Sequence, residues 1–311
     1  MTLTVNASAA HTPTKSHAHD TWQPALPVNV AAVFAMLSRG NSDPCVQSDA
    51  HGAFWRATRT PEGPATTRFR ETACGIEMHA WGPGAAWAIE HGPELLGAHD
   101  VLDGFAPTGK IGEWHRRHAG LRMPRTRAVY EAAVRAVCEQ LVTGIEAARS
   151  YRELAWRWGE PAPGPFPLRL PPTPATLAAL PYYDLHPVGI EQKRSIALRH
   201  AAKYAARLEE TTAMPLADAY ARVRAIPGLG VWSAAEIAAV AWGDADAVSV
   251  GDYHLKNTVV FAFTGRARGS DDEMLELLEP YRPHRARVVR LLHAAGIHAP
   301  RFGPRHRLRR F

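Results

Sequence analysis

The segment IPGLGVW at residues 226–232 lies between two stretches with the apolar spacing of amphipathic helices, one ending near Arg224 and the other beginning near Val231. Gly228 and Gly230 allow positive φ and close approach of another backbone. Backbone N–H groups at the start of the second helix can then face a phosphate. The segment predicts a helix-hairpin-helix with Gly228, Gly230 and Val231 as phosphate contacts, although a tight turn without a ligand is the alternative.

The chain continues through Gly251-Asp252 into a further helical pattern that begins at Tyr253. A carboxylate in this N-cap-like position accepts helix N–H bonds and lies at the positive end of the helix dipole, and both effects favour its ionised form. An ionised carboxylate can stabilise a developing positive charge. Asp252 is therefore the candidate catalytic residue, with simple capping of the helix as the alternative.

The spacing of apolar residues divides the chain into four parts. Residues 1–25 are predicted to be a flexible tail, 26–108 a mixed α+β domain, 109–296 a helical body and 297–311 a basic C-terminal tail. The predicted fold class is thus mainly α with an α+β N-terminal domain.

Within these parts, the pattern predicts individual elements. Strands are expected at 53–58 and 76–81, and a loop at 161–174. Helices are expected near residues 30–37, 126–141, 144–158, 174–180, 190–209, 215–224, 231–242, 253–263, 271–278 and 283–295.

The composition limits the classes of function. The chain has 36 Lys and Arg against 30 Asp and Glu, a formal net charge of +6, which favours a polyanionic partner. Its three cysteines lack the spacing of a zinc or iron-sulfur site. No apolar run approaches the ~20 residues needed to cross a bilayer, and no secretory signal begins the chain, so we expect a soluble cytoplasmic protein without membrane partners.

Several motifs occur together with the hairpin and the Asp252 loop: GLRMP at 120–124, AAVRAVCEQLV at 132–142 and PYR at 280–282. In order and spacing they resemble the helix-hairpin-helix (HhH-GPD) DNA glycosylase superfamily, and most closely the alkylpurine branch typified by 3-methyladenine DNA glycosylase II. The match spans about residues 110–295. The resemblance implies a helical glycosylase body preceded by a small antiparallel-sheet domain.

The resemblance also implies a reaction. Asp252 corresponds to the catalytic aspartate, and Trp232 stands where bifunctional members carry an amine-bearing lysine. The expected enzyme is therefore a monofunctional DNA glycosylase of base excision repair, which hydrolyses the N-glycosidic bond of a flipped alkylated purine, of 3-methyladenine or 7-methylguanine type, without lyase activity. Lys256 is expected to contact a DNA phosphate or solvent.

Further residues acquire roles from the same resemblance. Leu141 is the expected DNA wedge, with helix packing in the core as its alternative, and Gln140 bounds the base pocket. Trp232 and Tyr281 are expected to stack on a cationic base, with core packing as the competing role. Glu236 stands where the typified enzyme has a tyrosine, and it is expected to attract a cationic base, accept a base N–H or pair with an arginine.

The expected partner is damaged double-stranded DNA, bound by a monomer that is nucleoid-associated if bacterial. No cofactor, structural metal or iron-sulfur cluster is expected, apart from a monovalent cation at the hairpin carbonyls that the resemblance allows. Two other functions remain open: a non-catalytic DNA-binding protein, and a glycosylase for a deaminated or oxidised base.

Overall fold

A computed structural model describes residues 16–300 of the chain. Its N-terminal part holds a five-stranded antiparallel sheet with the strand order β1-β5-β4-β3-β2. The strands are β1 (His17–Trp22), β2 (Val46–Ser48), β3 (Phe54–Thr60), β4 (Gly63–Thr72) and β5 (Gly75–Trp81). Both strands predicted from the sequence are therefore present.

One face of the sheet packs on the helices. Along β5, Ile76, Met78 and Ala80 are buried and alternate with the half-buried Glu77 and His79, the period of two expected for a strand with one covered face. Ile76 and Met78 share a hydrophobic cluster with the first helix, Val30–Leu37, and with the central helices of the body. The sheet is thus held to the body by a continuous core.

The prediction of a flexible tail through residue 25 is wrong for residues 17–22. This segment is the edge strand β1, which pairs with β5 from His17 opposite Trp81 to Trp22 opposite Ile76. Trp22 also packs against the main core, and burial of this indole helps to offset the entropy lost on ordering the strand. Residues 1–15 of the predicted tail, and 301–311 of the basic C-terminal tail, lie outside the described residues.

Helix α1 spans Val30–Leu37, as predicted, and the Asn29 side chain caps it by accepting the N–H of Ala32. Three helices that the sequence did not predict follow the sheet: α2 (Ala85–Glu90), α3 (Gly92–Leu95) and α4 (Gly109–Arg117). The first two are only six and four residues long, and glycine and proline interrupt their pattern, so no periodic signal develops.

The helical body begins with α5. Its helices are α5 (Val129–Glu139), α6 (Gly144–Trp158), α7 (Pro174–Ala179), α8 (Tyr182–Leu185), α9 (Gln192–Lys203), α10 (Ala205–Glu209), α11 (Leu216–Arg224), α12 (Val231–Ile237), α13 (Leu255–Thr264), α14 (Asp271–Leu278) and α15 (Arg285–Ala294). The loop predicted at 161–174 contains a short antiparallel pairing of β6 (Glu160–Pro161) with β7 (Arg169–Leu170). The helix predicted to end at residue 242 is α-helical only to Ile237, and residues 238–242 form a π-helical turn.

Two hydrophobic clusters divide the body. The larger joins the sheet to α5, α6, α9 and α12, and the smaller joins α4 to α13, α14 and α15. The loop from residue 243 to 254 carries the chain from the first group of helices to the second. Asp252 lies on this loop between Val250 and Leu255, which pack in or against the smaller cluster.

The N-terminus of α5 is capped by a carboxylate from a distant helix. Glu209, the last residue of α10, accepts the N–H of Val129 at 3.1 Å and that of Tyr130 at 2.8 Å. Burial raises the pKa of Glu209 from 4.5 to about 7, against the opposing effect of these two hydrogen bonds. The carboxyl group is thus half-protonated near neutral pH.

A carboxyl group whose pKa is higher in the folded than in the unfolded chain stabilises the fold below its unfolded pKa and loses that contribution as pH rises through its folded pKa. Glu209 should therefore lower the free energy of unfolding by about 2 kcal/mol between about pH 4.5 and about pH 7. Denaturant titrations at several pH values should show this decline reduced in Glu209→Gln but not in Glu160→Gln, which changes an exposed carboxylate. Identical pH profiles for the parent and Glu209→Gln would contradict the assignment.

Candidate active site

The hairpin between α11 and α12 packs closely on α9. Gly228 has a φ of +93°, and a Cβ built there would lie 2.4 Å from the Cβ of Ala197. Gly230 differs from the prediction, since its φ is −83°, and a Cβ built on it would meet nothing within 4 Å. Only Gly228 therefore needs a glycine conformation, whereas Gly230 is the open N-cap of α12.

The start of α12 has the features of an anion site. Within residues 16–300, no side chain caps this helix, and the N–H groups of Gly230 and Val231 have no hydrogen-bond acceptor. Val231 is itself exposed. The three predicted phosphate contacts thus lie together, and their backbone donors are available to a ligand at the positive end of a helix.

The hairpin carbonyls of residues 226–228 have hydrogen-bond partners within the chain. The carbonyl oxygen of Ile226 accepts the N–H of Leu229, that of Pro227 lies 3.1 Å from Nδ1 of His200, and that of Gly228 accepts Nε2 of Gln140. The monovalent cation that the resemblance allows at these carbonyls stays a prediction.

Three N–H groups hold the carboxylate of Asp252. Its Oδ1 accepts the backbone N–H of His254 at 2.8 Å and of Leu255 at 2.7 Å, and its Oδ2 accepts the indole Nε1–H of Trp232 at 3.4 Å. The expected hydrogen bonds to the helix start are therefore present, although α13 begins at Leu255, two residues later than predicted. Trp232 and Asp252 are brought into direct contact.

Asp271, at the start of α14, braces the Asp252 loop. It accepts the N–H of Gly251 at 3.0 Å and the ammonium of Lys256 at 2.8 Å. Partial burial acts to raise the pKa of Asp271, but these two bonds outweigh it and the pKa is lowered. The predicted phosphate contact Lys256 is consequently ion-paired within the protein. Sequence reasoning missed Asp271, whose only local signal was its place at a helix start.

Gln140 and Leu141 lie at the end of α5 and have different roles. Nε2 of Gln140 donates to the carbonyl of Gly228 at 2.8 Å and to Oγ of Ser233 at 2.9 Å, so it ties α5 to the hairpin. Leu141 has a φ of +54° and is 97% exposed. The alternative in which Leu141 packs in the core is thereby excluded.

Glu236 lies one turn after Trp232 on α12 and is half-buried. It accepts the hydroxyl hydrogen of Ser249, which belongs to the Asp252 loop, and it lines a cavity that Arg39 also faces. The carboxylate of Glu236 is thus fixed between the hairpin helix and the Asp252 loop. The expected pairing with an arginine is not found among the described residues.

Tyr281 packs against the protein core, and His293, to which the sequence analysis gave no role, lies near the site. The ring of Tyr281 packs 5.9 Å from that of Phe263, against the core of the C-terminal helices, which matches its alternative packing role. His293 on α15 instead lies within electrostatic range of both Glu236 and Asp252. Desolvation, followed by the charge of Arg290, lowers the pKa of His293 to about 4, so its imidazole is neutral at pH 7.

The chain is similar to known proteins in both sequence and fold. No family model matches the chain. The chain is 31% identical over 181 residues to DNA-3-methyladenine glycosylase 2 of Escherichia coli (strain K12). The aligned region covers 57% of this chain and 62% of that protein. This chain therefore spans less than two thirds of the length of that relative.

Solved structures share the fold over a greater length. A 3-methyladenine DNA-glycosylase from Archaeoglobus fulgidus superposes with a TM-score of 0.73 at 15% identity, over 89% of this chain and 98% of that one. An 8-oxoguanine glycosylase/lyase from Clostridium acetobutylicum has a TM-score of 0.68 at 9% identity, over 90% and 97% of the two chains.

The fold is that of the helix-hairpin-helix DNA glycosylases, with a small antiparallel sheet ahead of a helical body. The resemblance of the chain to this superfamily, first seen in its motifs, is confirmed by these comparisons. No helix within residues 16–300 is long and apolar enough to span a membrane.

The two hairpin glycines allow a matched test. Gly228→Ala should lower the free energy of unfolding by about 2 to 4 kcal/mol, because the new Cβ overlaps Ala197 and the left-handed backbone disfavours alanine. Gly230→Ala should change it by less than about 1 kcal/mol, since its Cβ meets open space. Urea titrations of both variants measure the difference, and equal stabilities would contradict the tight contact with α9.

Proposed function

We propose that the protein is a monofunctional DNA glycosylase that removes alkylated purines, of 3-methyladenine or 7-methylguanine type, from duplex DNA. The observation that carries the proposal is the carboxylate of Asp252, held by three N–H groups beside Trp232 on the loop that follows the hairpin. The relatives of the same fold that remove damaged bases support it.

The proposed reaction is hydrolysis at the anomeric carbon of a flipped nucleotide. The bond from C1′ to the base nitrogen breaks, and its electron pair leaves with the base. A water oxygen bonds to C1′, and the water proton passes to Asp252 or to solvent. In this scheme Asp252 stabilises the positive charge that develops on the sugar, and its fixed hydrogen bonds mean that little reorganisation is needed when the charge appears.

Trp232 supports a reaction with water rather than with an enzyme amine. An indole nitrogen cannot form a Schiff base, and the nearby amine of Lys256 is bound to Asp271. The expected product is therefore an abasic site in an uncut strand. The half-buried indole of Trp232 is also suited to stack on a cationic base, an interaction of about 0.5 to 2 kcal/mol.

The hairpin and Leu141 supply the proposed contacts with DNA. The free amides at Gly230 and Val231 are suited to a backbone phosphate, which fixes register without reading sequence. Leu141, exposed at the end of α5, is suited to fill the space left by the flipped base. Because Gln140 bonds to the hairpin, the wedge and the phosphate contacts form one unit.

Base release from a panel of defined duplexes tests the proposal. Duplexes containing 7-methylguanine or 3-methyladenine should yield free base and an abasic site that breaks only after alkali treatment, with no borohydride-trapped complex. Strand cleavage without alkali, or a trapped complex, would contradict the monofunctional assignment. Release from 8-oxoguanine or hypoxanthine duplexes alone would contradict the alkylpurine assignment, and release from none of them would leave a DNA-binding protein without catalysis.

Leu141→Ala should slow base release from a fully paired duplex by about tenfold or more, since the variant cannot replace the stacking lost on flipping. Opposite a mismatch, where flipping costs less, the loss should be smaller. Val101→Ala is the control, because it shortens another exposed apolar side chain, one that belongs neither to the hairpin nor to the end of α5. Unchanged release by Leu141→Ala on both duplexes would exclude the wedge role.

A further inference from the structure

The cavity beside Glu236 is lined by charged groups from both parts of the protein. Three arginines face it: Arg39, Arg56 and Arg135. Each has a carboxylate of its own, since Arg39 pairs with Glu139, Arg56 with Glu131 at 3.2 Å and Arg135 with Asp43 at 3.2 Å. These three ion pairs therefore neutralise the arginines of the cavity without any contribution from Glu236.

Glu236 is an acidic residue of this cavity that none of the three arginines pairs with. Its hydrogen-bond partner is the neutral hydroxyl of Ser249, and no cationic side chain among residues 16–300 lies within ion-pair distance of it. Arg39 is within electrostatic range, but its guanidinium is already bonded to Glu139 and to the carbonyls of Met36 and Ser38. A half-buried carboxylate without an ion pair is costly unless a cation arrives with the ligand.

Glu236 is also placed beside the reaction centre. It follows Trp232 by one helical turn, so both side chains share a face of α12, and Trp232 donates to Asp252. Ser249, the partner of Glu236, belongs to the same loop as Asp252. A base whose sugar lies at Asp252 and whose ring lies on Trp232 would therefore extend towards Glu236.

We infer that Glu236 discriminates between lesions by charge at the binding step: it binds flipped purines that carry a positive charge from alkylation more tightly than neutral damaged bases of similar shape. This inference rests on the proposed glycosylase function and deepens it. A neutral base leaves the carboxylate of Glu236 desolvated and without a counter-charge, whereas a cationic base supplies the missing charge.

The effect should appear in binding rather than in bond cleavage. As the glycosidic bond breaks, its electron pair neutralises the base, so the attraction of Glu236 is strongest in the bound ground state and fades towards the transition state. An interaction of this kind lowers KM without raising kcat. A merely structural role for Glu236 would affect cationic and neutral lesions alike.

The test compares one cationic and one neutral lesion in the same duplex, 7-methylguanine and hypoxanthine. In Glu236→Gln, KM for the 7-methylguanine duplex should rise about tenfold with kcat not reduced, while KM for the hypoxanthine duplex should stay the same or fall. Ser249→Ala is the matched control, because it removes the hydrogen bond but keeps the charge, and it should retain the preference for the cationic lesion.

An unchanged ratio of the two KM values in Glu236→Gln would overturn the inference, as would an equal loss on both lesions in a variant that melts at the temperature of the parent. If Glu236→Gln proves unstable, Glu236→Ala removes the same charge and should give the same shift. Failure of the proposed function is recognisable separately, since the parent protein itself would then release no 7-methylguanine.

Discussion

The carboxylate of Asp252 is fixed by three N–H donors that come from two parts of the chain. Two are backbone amides of its own loop, at His254 and Leu255, and the third is the indole of Trp232 on the hairpin helix. Trp232 packs against the larger hydrophobic cluster, and Val250 and Leu255 beside Asp252 pack in or against the smaller one, so the contact joins the two groups of helices. Asp271 then holds the loop from its outer side through Gly251.

Close packing and hydrogen bonds also link the candidate catalytic group to the elements that would hold DNA. Gly228 lets the hairpin approach α9, and its carbonyl accepts the amide of Gln140, the residue before Leu141. The proposed phosphate contacts, the proposed wedge and the carboxylate of Asp252 are tied together by hydrogen bonds between their elements, which restrict their relative motion. Rigidity of this kind matters because a stabilising charge is effective only when it is already oriented before reaction.

The charge pattern around the site separates two tasks. Asp252 lies next to the sugar position in the proposed scheme and accepts three N–H hydrogen bonds. Glu236 lies one turn after Trp232 on α12, where in the proposed scheme it would face the base rather than the sugar, and the neutral imidazole of His293 lies within electrostatic range of both carboxylates. Two carboxylates with different neighbours can thus stabilise positive charge on two different parts of one nucleotide.

Local signals in the sequence were sufficient for the hairpin, for the capping geometry of Asp252 and for most helices, because each depends on neighbours within a few residues. Features that depend on distant partners were missed. Strand β1 owes its order to pairing with β5 some sixty residues away, and Lys256 is engaged by Asp271 from the next helix. Tyr281 packs on Phe263 and His293 lies within electrostatic range of Asp252, and both placements depend on tertiary packing that no local pattern in the sequence shows.

The central claim is that the carboxylate of Asp252 drives hydrolysis and does more than cap a helix. Single-turnover base release by Asp252→Asn, measured beside its affinity for the same lesion duplex, separates these roles, because an amide oxygen can still accept the two backbone N–H bonds. The account predicts that release falls by a factor of about a thousand or more while duplex binding and thermal stability stay near those of the parent. Release at the parental rate would contradict it.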